Sequence, residues 1–372
     1  MQIKELKLKN FRNYRELTLQ PHPGVNLFFG RNGSGKTNLL EAVHYCSLGR
    51  SHRTANDAGV IRNGEAFAMS SVSIRNMLGE REIAVRFHPE EAQKKSILMD
   101  RKKIQKFSEL MGCLRCVIFS PEDLGLVRDG PSVRRRYLDM MISQIDRGYF
   151  IALQQYKAGM DQRNAVIRNL RMNGAGNKSL LSAFEETMAA PAAVIIRERR
   201  RIVSLLSDIA PDTYRRISDT DEAFRLAYHS SVKEENDIEE TLCRLFRENR
   251  EDDIRMGFTS VGPHRDDLNL SLNKNPMKQF ASQGQIRTAA LSMKLSQMKI
   301  LRDLSGEEPV LLLDDVMSEL DRRRRACLIS GIEGFQTFIT CADRDDVDCG
   351  RVDQVWSVSA EDGEASVELI QN

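Results

Sequence analysis

The sequence predicts an α/β fold in which a mixed sheet carries a phosphate-binding loop and a long α-helical arm is inserted into the chain. Three observations indicate this fold. An apolar run at 25–29 leads directly into the glycine-rich segment 30–37 and then into a helical pattern. A second apolar run, 310–313, ends in two adjacent aspartates. Between these runs, about eighty residues from Ser132 onward keep a helical period.

Length and composition restrict the class of protein. The chain has 372 residues, 41% of them hydrophobic, and a formal net charge of +2. At roughly 100 to 200 residues per domain, this length allows two or three domains, or one large core with an insertion. The composition excludes a long disordered chain and a strongly basic nucleic-acid coat protein. No uninterrupted apolar run approaches the roughly 18 residues of a membrane span, so we expect a cytoplasmic protein without membrane contact.

The seven cysteines are an odd number, scattered along the chain. Without any sign of an oxidising compartment, this pattern favours free thiols. Cys113 and Cys116 form a CxxC pair, but a zinc or redox site would need a second pair or a thioredoxin-like context. A structural or incidental interpretation of this pair is therefore favoured.

Short strands separated by turn residues are predicted before the helical segment. The run 25–29 is apolar without alternation, as expected of a strand buried on both faces. A helix is predicted after the glycine-rich segment, with Leu39, Leu40 and Val43 on one face. The other predicted strands of this part are 3–9, 16–19, 71–75, 82–87, 96–100 and 115–119.

The helical segment carries two stripes of apolar residues at steps of four and three. Arg163 interrupts the first stripe, and residues 173–177 between the stripes are typical of a turn. The pattern predicts an antiparallel helical hairpin with arms of about 30 residues, each roughly 45 Å long. Ordinary core helices are the alternative. The stripes are Tyr149, Leu153, Tyr156, Met160, Ile167 and Leu170, then Leu181, Phe184, Met188, Ile195, Ile202, Leu205 and Ile209.

Strand patterns return after the helical segment, together with one long helix. The helix is predicted at 284–304, with Leu291, Leu295, Met298 and Leu301 on one face. The predicted strands are 224–229, 268–272, 310–313, 336–340 and 354–358.

The glycine-rich segment matches the pattern GxxxxGK[ST] in the strand–helix context that this pattern requires. Its glycines let backbone N–H groups point at phosphate oxygens, and the N-terminus of the following helix adds a favourable dipole. Lys36 is placed to reach the terminal phosphates and Thr37 to ligate Mg²⁺. We therefore predict a nucleotide site formed by Gly30, Arg31, Asn32, Gly33, Ser34, Gly35, Lys36 and Thr37.

A phosphate-binding loop requires an acidic partner at the end of a neighbouring strand, and PVLLLDD supplies one. Asp314 is the expected partner of Mg²⁺, directly or through water. Asp315 is placed to orient or deprotonate the attacking water. Two carboxylates after a strand are also common in plain exposed turns, and the phosphate loop is what favours the catalytic interpretation.

A second anion-binding feature lies between the phosphate loop and the acidic strand. Ser282, Gly284 and Gln285 come at the start of the predicted helix 284–304, where the helix N-terminus favours a phosphate. Ser and Gly are also ordinary N-cap residues. The segment SELD, 318–321, follows the acidic strand and makes the combination more specific.

The order of phosphate loop, S-x-G-Q segment, acidic strand and SELD segment resembles the ABC-type ATPase heads of the SMC and Rad50 group. Within this group, the chain is similar to the bacterial recombination mediators over nearly its whole length. The resemblance implies an ATPase lobe built from 1–130 and 286–372, with a helical arm and signature-motif lobe at 131–285. The similar stretches are LKLKNFRNYRELTL, GRNGSGKTNLLEA, VIFSPEDLGLVRDGPSVRRRYLD, Gln162-Arg163-Asn164, TSVGPHRDDL, ASQGQIRTAALSMKLS and LLLDDVMSELD.

The resemblance implies an ATP-dependent switch that closes into a homodimer with ATP and Mg²⁺ at the interface. Lys36, Asp314 and Asp315 would be catalytic, with Thr37 and Asp314 holding the metal. The signature residues of one subunit would contact the γ-phosphate bound by the other, since a phosphate touched by both subunits couples dimer affinity to hydrolysis. The further residues expected near the nucleotide are Arg12, Asn13, Ser282, Gly284, Gln285 and Asp321.

Three departures from the resemblance concern the chemistry. Many ABC heads carry Glu where Asp315 stands, and the shorter side chain predicts slow hydrolysis. No histidine follows the strand 336–340, where a sensor of the γ-phosphate is expected. Ser120, Pro121, Glu122 and Asp123 stand where a glutamine is expected, so either carboxylate is a candidate for metal contact.

Local basic clusters are the candidate contacts for DNA phosphates. No base-reading motif is present, so binding is expected to follow backbone shape rather than sequence. For each cluster taken alone, a solvated helix face is the more common interpretation. The clusters are Lys4, Lys7, Lys9, Arg12, Arg15, Arg31, Arg50 and Arg53, then Arg134 to Arg136, Arg197, Arg199 to Arg201, Arg322 to Arg325, and His264 with Arg265.

The resemblance implies action on single-stranded, gapped or junction DNA together with RecO and RecR, in loading RecA and in the SOS response. It also implies a weak, DNA-stimulated ATPase used as a switch. The transporter ATPase subunit is an alternative, disfavoured by the long helical insertion and the absent switch histidine. A scaffold that binds nucleotide without hydrolysing it is a third class, disfavoured by Asp314 and Asp315.

Overall fold

The computed structural model describes residues 1–54, 56–173, 179–234, 236–344 and 352–371. The chain forms two compact units. The first consists of Met1–Leu124, Asp212–Asp221 and Gln283–Asn372, and the second of Gly125–Pro211 and Glu222–Ser282.

The strands are numbered β1 to β15 in chain order. They are β1 (Gln2–Phe11), β2 (Tyr14–Leu19), β3 (Val25–Phe29), β4 (Ala68–Asn76), β5 (Gly79–Phe87), β6 (Lys95–Met99), β7 (Lys102–Lys103), β8 (Cys116–Phe119), β9 (Phe224–His229), β10 (Asp267–Leu272), β11 (Asn275–Pro276), β12 (Val310–Asp314), β13 (Thr337–Cys341), β14 (Gln354–Glu361) and β15 (Glu364–Gln371).

The α-helices are numbered in the same way. They are α1 (Lys36–Leu48), α2 (Gly125–Arg128), α3 (Pro131–Ser143), α4 (Arg147–Asn173), α5 (Ser179–Ser218), α6 (Ile238–Glu248), α7 (Arg250–Met256), α8 (Met277–Phe280), α9 (Gln283–Ser305), α10 (Val316–Glu319) and α11 (Arg322–Gly331).

The first unit is built on a six-stranded mixed sheet in the order β15-β14-β3-β13-β12-β8. The strand β3 pairs in parallel with β13 on one side and with β14 on the other. The acidic strand β12 is therefore not adjacent to the phosphate-loop strand, because β13 lies between them. The two functional strands nevertheless end at the same edge of the sheet, since β3, β13 and β12 are all parallel.

A second, antiparallel sheet in the same unit has the order β2-β1-β4-β5-β6-β7. Helix α1 contacts strands of both sheets and is buried along most of its length. Its apolar residues therefore show only a weak amphipathic pattern, as expected of a helix covered on two sides. The end of the glycine-rich segment, where α1 begins at the buried Lys36, therefore lies inside the core of the unit.

The second unit contains the helix α4 and, up to Pro211, the helix α5, which are 27 and 40 residues long. Ile167, Leu170 and Leu181 form one buried cluster, so the two apolar stripes pack against each other as predicted. The predicted turn at 173–177 lies outside the described residues apart from the end of α4. A three-stranded sheet, β11-β10-β9, completes this unit.

Arg163, which interrupts the first apolar stripe, is fully buried. Its guanidinium donates to Asp253 Oδ2 at 2.7 Å and to Glu185 Oε1 at 3.0 Å, and both carboxylates are buried as well. A buried charge requires such partners because desolvation alone would cost several kcal/mol, on the order given for single ions. The residue that interrupts the apolar stripe is thus the centre of a buried ion-pair network that joins α4, α5 and α7.

Every predicted strand and long helix is confirmed, with ends shifted by a few residues. The elements that the prediction missed include α6 and α7, whose sequences are rich in charged residues, and also β15. The segment Asp212–Asp221 lies with the first unit, although the sequence analysis assigned it to the inserted lobe. An exposed ion pair between Asp219 and Arg323, 2.6 Å long, is one contact between this segment and α11.

One helix, α5, is long and apolar enough to cross a membrane by length and composition alone. Half of its most apolar window is buried inside the fold, which is the behaviour of a core helix. This observation is weak evidence for a span.

The described cysteines are free, in agreement with the predicted thiol state. They include Cys113 and Cys116. Among the described residues, no group of three or more His, Cys, Asp or Glu side chains could hold a metal ion by themselves. The CxxC pair therefore has no further ligand within the part of the chain that the structure describes.

Candidate nucleotide-binding site

The phosphate loop joins β3 to α1 at the carboxyl edge of the mixed sheet. Its backbone needs glycine at Gly33 and Gly35, whose φ angles are +82° and +116°. A Cβ atom on Gly35 would also lie 2.8 Å from Asn13 Nδ2. Residues with side chains disfavour this conformation, so the loop geometry depends on these two glycines.

Asn13 and Tyr14 support the phosphate loop from the β1–β2 hairpin. Asn13 Nδ2 donates to the Ser34 carbonyl at 3.2 Å, and the fully buried Tyr14 hydroxyl donates to the Gly35 carbonyl at 3.1 Å. Burial holds the pKa of Tyr14 well above its ordinary value, so the hydroxyl stays protonated as a donor. The predicted Asn13 therefore touches the loop backbone. Tyr14 was missed, although the alternation of β2 would have placed it on the inner face.

Lys36 lies at the first position of α1 and is 7% exposed. Its ammonium donates to the carbonyls of Gly30 and Arg31 at 2.5 and 2.9 Å. Burial lowers the pKa of Lys36, and the nearby charges of Asp315 and Asp314 partly offset this effect. The lysine is thus held over its own loop, within electrostatic reach of the acidic strand.

Asp314 is bound by two hydroxyl groups at the end of β12. Thr37 Oγ1 and Thr340 Oγ1 donate to its Oδ1 at 2.8 and 2.9 Å. Burial raises the pKa of Asp314, and these two hydrogen bonds act in the opposite direction. Hard oxygen donors from a hydroxyl and a carboxylate are the ligands that Mg²⁺ prefers. The pair of Thr37 and Asp314 therefore fits the predicted metal site.

Asp315 follows β12 in a left-handed backbone conformation, with φ of +52°. Its N–H donates to Thr340 Oγ1 at 3.0 Å, and Ser318 Oγ donates to its carbonyl at 2.8 Å. This turn separates the two aspartates, so that Asp314 is buried while Asp315 is half-buried. Thr340, at the end of the strand between β3 and β12, contacts both of them.

We expect the substitution Thr340→Val to lower the free energy of unfolding by about 1–3 kcal/mol, the cost of unsatisfied buried polar groups. It removes a donor to Asp314 and the acceptor of the Asp315 N–H. Urea denaturation would measure the change. Thr337→Val is the matched control, because this equally buried hydroxyl on β13 donates to the Phe335 carbonyl. An equal loss in both variants would contradict a special role of Thr340.

Arg12 was expected near the nucleotide, but its guanidinium is bound to Glu41 of α1. Nε and Nη2 donate to the two carboxylate oxygens at 2.8 and 2.7 Å, and Nη1 donates to the Gly59 carbonyl. Burial raises the pKa of Glu41, yet the hydrogen bonds from Arg12 and Ser51 lower it overall, so it is charged. In this arrangement Arg12 stabilises α1, and its contact with a nucleotide stays a prediction.

The segment after β8 distinguishes the two carboxylates that stand in place of a glutamine. Asp123 is paired with Lys294 of α9 at 2.8 Å, and Lys294 Nζ also donates to the Ile118 carbonyl at 2.8 Å. Burial raises the pKa of Asp123, while Lys294 favours its charged form. Glu122 is exposed, and its charge contributes to raising the pKa of Asp314. Glu122 therefore lies within electrostatic range of Asp314, and its contact with a metal stays a prediction.

The predicted signature residues lie at the start of α9. Ser282 is exposed and immediately precedes this helix, and Gly284 and Gln285 belong to its first turn. Asp321 is the N-cap of α11, where its Oδ1 accepts from the Arg324 N–H at 2.9 Å. The structure therefore brings Lys36 and Thr37 close to the two aspartates at the end of β12. It places the signature residues and Asp321 at two other helix N-termini.

Several of the predicted DNA contacts have internal roles instead. Arg134 is bidentate to Asp267, and the buried Arg199 binds Asp139 at 2.8 Å. His264 is held by Tyr156 and Thr259 through its two ring nitrogens, and burial lowers its pKa to about 4. These side chains are therefore structural. The exposed members of the clusters are Lys7, Lys9, Arg15, Arg31, Arg50, Arg53, Arg136, Arg197, Arg201, Arg265, Arg322 and Arg323.

The fold and the site together define an SMC-type ATPase head. The family model for the RecF/RecN/SMC N terminal domain matches residues 2–366. The SMC head domain with an extended coiled coil from Pyrococcus furiosus shares this fold, with a TM-score of 0.59 at 17% identity, covering 100% of this chain and 96% of that one.

The chain belongs to the RecF family of DNA replication and repair proteins. It is 40% identical to RecF of Clostridium tetani over 92% of this chain and 93% of that protein. It is 38% identical to RecF of Clostridium novyi over 91% and 92%. The solved structure of the recombination mediator protein RecF-ATP in the RecFOR pathway has a TM-score of 0.90 at 35% identity, covering 99% of this chain and 97% of that one.

Proposed function

We propose that this protein is an ATP-switched DNA-binding homodimer of recombinational repair and replication restart. The observation that carries the proposal is the arrangement of Lys36, Thr37, Asp314 and Asp315 at one edge of the sheet. A phosphate loop, a metal-binding pair and a second carboxylate are together what ATP binding and hydrolysis require.

ATP is the proposed nucleotide because the similar solved structure described above is that of RecF-ATP. Lys36 would exchange its two loop carbonyls for phosphate oxygens. Thr37 and Asp314 would hold Mg²⁺, which neutralises charge on the phosphates when it is bound. Asp315 would orient or deprotonate the attacking water, and its short side chain is consistent with the slow hydrolysis of a switch.

Dimerisation would follow from contacts to the γ-phosphate. The signature residues Ser282 and Gly284 precede and open the 23-residue helix α9, whose N-terminal N–H groups favour an anion. If these groups contact the phosphate held by another subunit, ATP strengthens the dimer and hydrolysis weakens it. Asp321, at the N-terminus of α11, would lie near the same phosphate.

DNA binding is proposed for exposed basic residues of the first three clusters, namely Lys9, Arg15, Arg31, Arg50, Arg136 and Arg197. Their dispersed positions suit contacts with DNA phosphates rather than with base edges. Affinity should fall steeply with salt. With RecO and RecR, the protein would act at single-stranded, gapped or junction DNA, promote RecA loading and contribute to the SOS response. A weak ATPase activity of the protein, stimulated by DNA, would hydrolyse the bound ATP and so weaken the dimer. The transporter alternative has no support in the family match, which spans 2–366.

Sedimentation with ATP, with ADP and without nucleotide, each with and without gapped DNA, tests the proposal. We expect a dimer with ATP and a monomer otherwise. Replacing ATP by a non-hydrolysable analogue should make the dimer persist. A mass that stays constant in all conditions would remove the switch mechanism.

The substitution Ser282→Arg should leave ATP binding unchanged and abolish the ATP-dependent dimer. The long cationic side chain would occupy the exposed position that precedes α9, where a second subunit's phosphate is proposed to lie. Fluorescent-ATP titration and sedimentation of the same sample measure the two effects. Ser132→Arg is a control at another exposed serine of the same unit. A normal ATP-dependent dimer of Ser282→Arg would rule out contact in trans.

A further inference from the structure

Arg324 contacts both of the helix N-termini that are proposed to face the second subunit's nucleotide. Its Nη2 donates to the Gly284 carbonyl at 3.1 Å and to Thr288 Oγ1 at 2.9 Å. Its Nε donates to the same hydroxyl at 3.0 Å. Its Nη1 forms an ion pair with Asp321. One guanidinium therefore joins the first turn of α9 to the N-cap of α11.

The two sides of this contact differ in exposure. Thr288 is fully buried, while the Asp321 side chain is 53% exposed and that of Arg324 21% exposed. The guanidinium of Arg324 thus contacts the buried Thr288 of α9 on one side and the solvent-exposed carboxylate of Asp321 on the other. The planar guanidinium fixes several donors at once, so the positions of its acceptors are fixed relative to one another.

The charge of Arg324 has an electrostatic consequence at these helix ends. A cation close to the N-termini of two helices is unfavourable unless an anion compensates it. Asp321 supplies the compensation within the subunit. An incoming phosphate would meet a guanidinium and two sets of helix N–H groups that are already held in place.

We propose that Arg324 is a positioning residue that makes the signature glycine Gly284 and the acidic cap Asp321 move as one element. Closure of the dimer on the γ-phosphate then requires both groups to arrive together. This inference rests on the proposed function, because it assigns the coupling of the proposed γ-phosphate contacts. The basic cluster Arg322 to Arg325 was a candidate contact for DNA phosphates, and Arg324 takes an internal role instead.

The test compares Arg324→Gln, Arg324→Lys and Thr288→Val with the wild type and with Arg322→Gln. Arg322 is the matched control, because it is an exposed arginine in the same turn of α11. We expect Arg324→Gln to bind fluorescent ATP within about twofold of the wild type and to weaken the ATP-dependent dimer about tenfold or more, as the loss of one charge-assisted contact implies. Lysine should restore only part of the dimer, since it lacks the planar fork.

A double-mutant cycle separates coupling from general damage. If Arg324 acts through Thr288, the double variant should dimerise no more weakly than Arg324→Gln alone. Additive losses, an unchanged dimer of Arg324→Gln, or an equal loss in Arg322→Gln would overturn the inference. A wild type that does not dimerise with ATP would instead overturn the proposed function.

Hydrogen exchange of the nucleotide-free protein gives a second measurement that does not depend on dimerisation. The amides of 284–288 should exchange at least several-fold faster in Arg324→Gln and in Thr288→Val, but not in Arg322→Gln. Unchanged exchange in Arg324→Gln would show that the guanidinium does not hold this turn.

Discussion

Replacing Lys36 by methionine should abolish measurable ATP binding, with a loss of roughly a hundredfold or more in affinity. A hydrogen bond to a charged group contributes about 1.5–3 kcal/mol, and the ammonium is proposed to contact more than one phosphate oxygen. The long, unbranched methionine fills a similar volume, so the effect isolates the charge. Titration with a fluorescent ATP analogue would measure the affinity.

Two controls accompany this variant. Lys7→Met removes an exposed lysine that is paired with Glu5, and it should leave ATP affinity unchanged. Thermal unfolding of Lys36→Met without nucleotide shows whether the loss of the two carbonyl contacts damages the fold. Nucleotide affinity equal to that of the wild type would refute the assignment of Lys36.

The substitution Asp315→Asn should preserve ATP binding and dimerisation while lowering kcat by about 10²–10⁴, the contribution of a positioned general base. Asparagine tolerates the left-handed conformation that Asp315 adopts, and its side-chain oxygen can still accept from Ser318. The substitution therefore removes the negative charge with little cost to the backbone. Single-turnover hydrolysis would measure the rate, and sedimentation the dimer.

Comparing the ATP affinities of Asp315→Asn and Lys36→Met tests whether the two residues have separate roles. Equal loss of ATP binding in both variants would reject separate roles in binding and hydrolysis. An unchanged kcat for Asp315→Asn would place the base elsewhere, with Glu122 as the next candidate because its charge acts on Asp314.

The sequence predicted the parts of the site that are contiguous in the chain. The phosphate loop was recognisable because Lys36 and Thr37 stand at fixed spacing after an apolar strand. Thr340 was not, because its contacts with Asp314 and Asp315 depend on the order of strands in the sheet. Strand order results from long-range pairing, and the periodicity of a single strand does not encode it.

Charge patterns were the least predictive feature. Arg134 and Arg199 were expected to contact DNA, and Arg163 interrupts an apolar stripe. Each one is buried against acidic side chains that are distant in sequence. The energetic penalty for burying an unpaired charge makes such partners obligatory, but the sequence does not reveal which acid will be the partner. For the same reason, the contact of Arg324 with Thr288 was not foreseen.

The sheet that bears the site joins the two ends of the chain. The N–H of Ile3 donates to the Gln336 side chain across 333 positions, and the Ala365 N–H donates to the Asn13 carbonyl beside the phosphate loop. During synthesis, the second unit emerges complete while the first still lacks β12 to β15. The sheet that carries Lys36 and Asp314 can therefore be completed only after β12 to β15 have been made, whereas all residues of the second unit are available earlier.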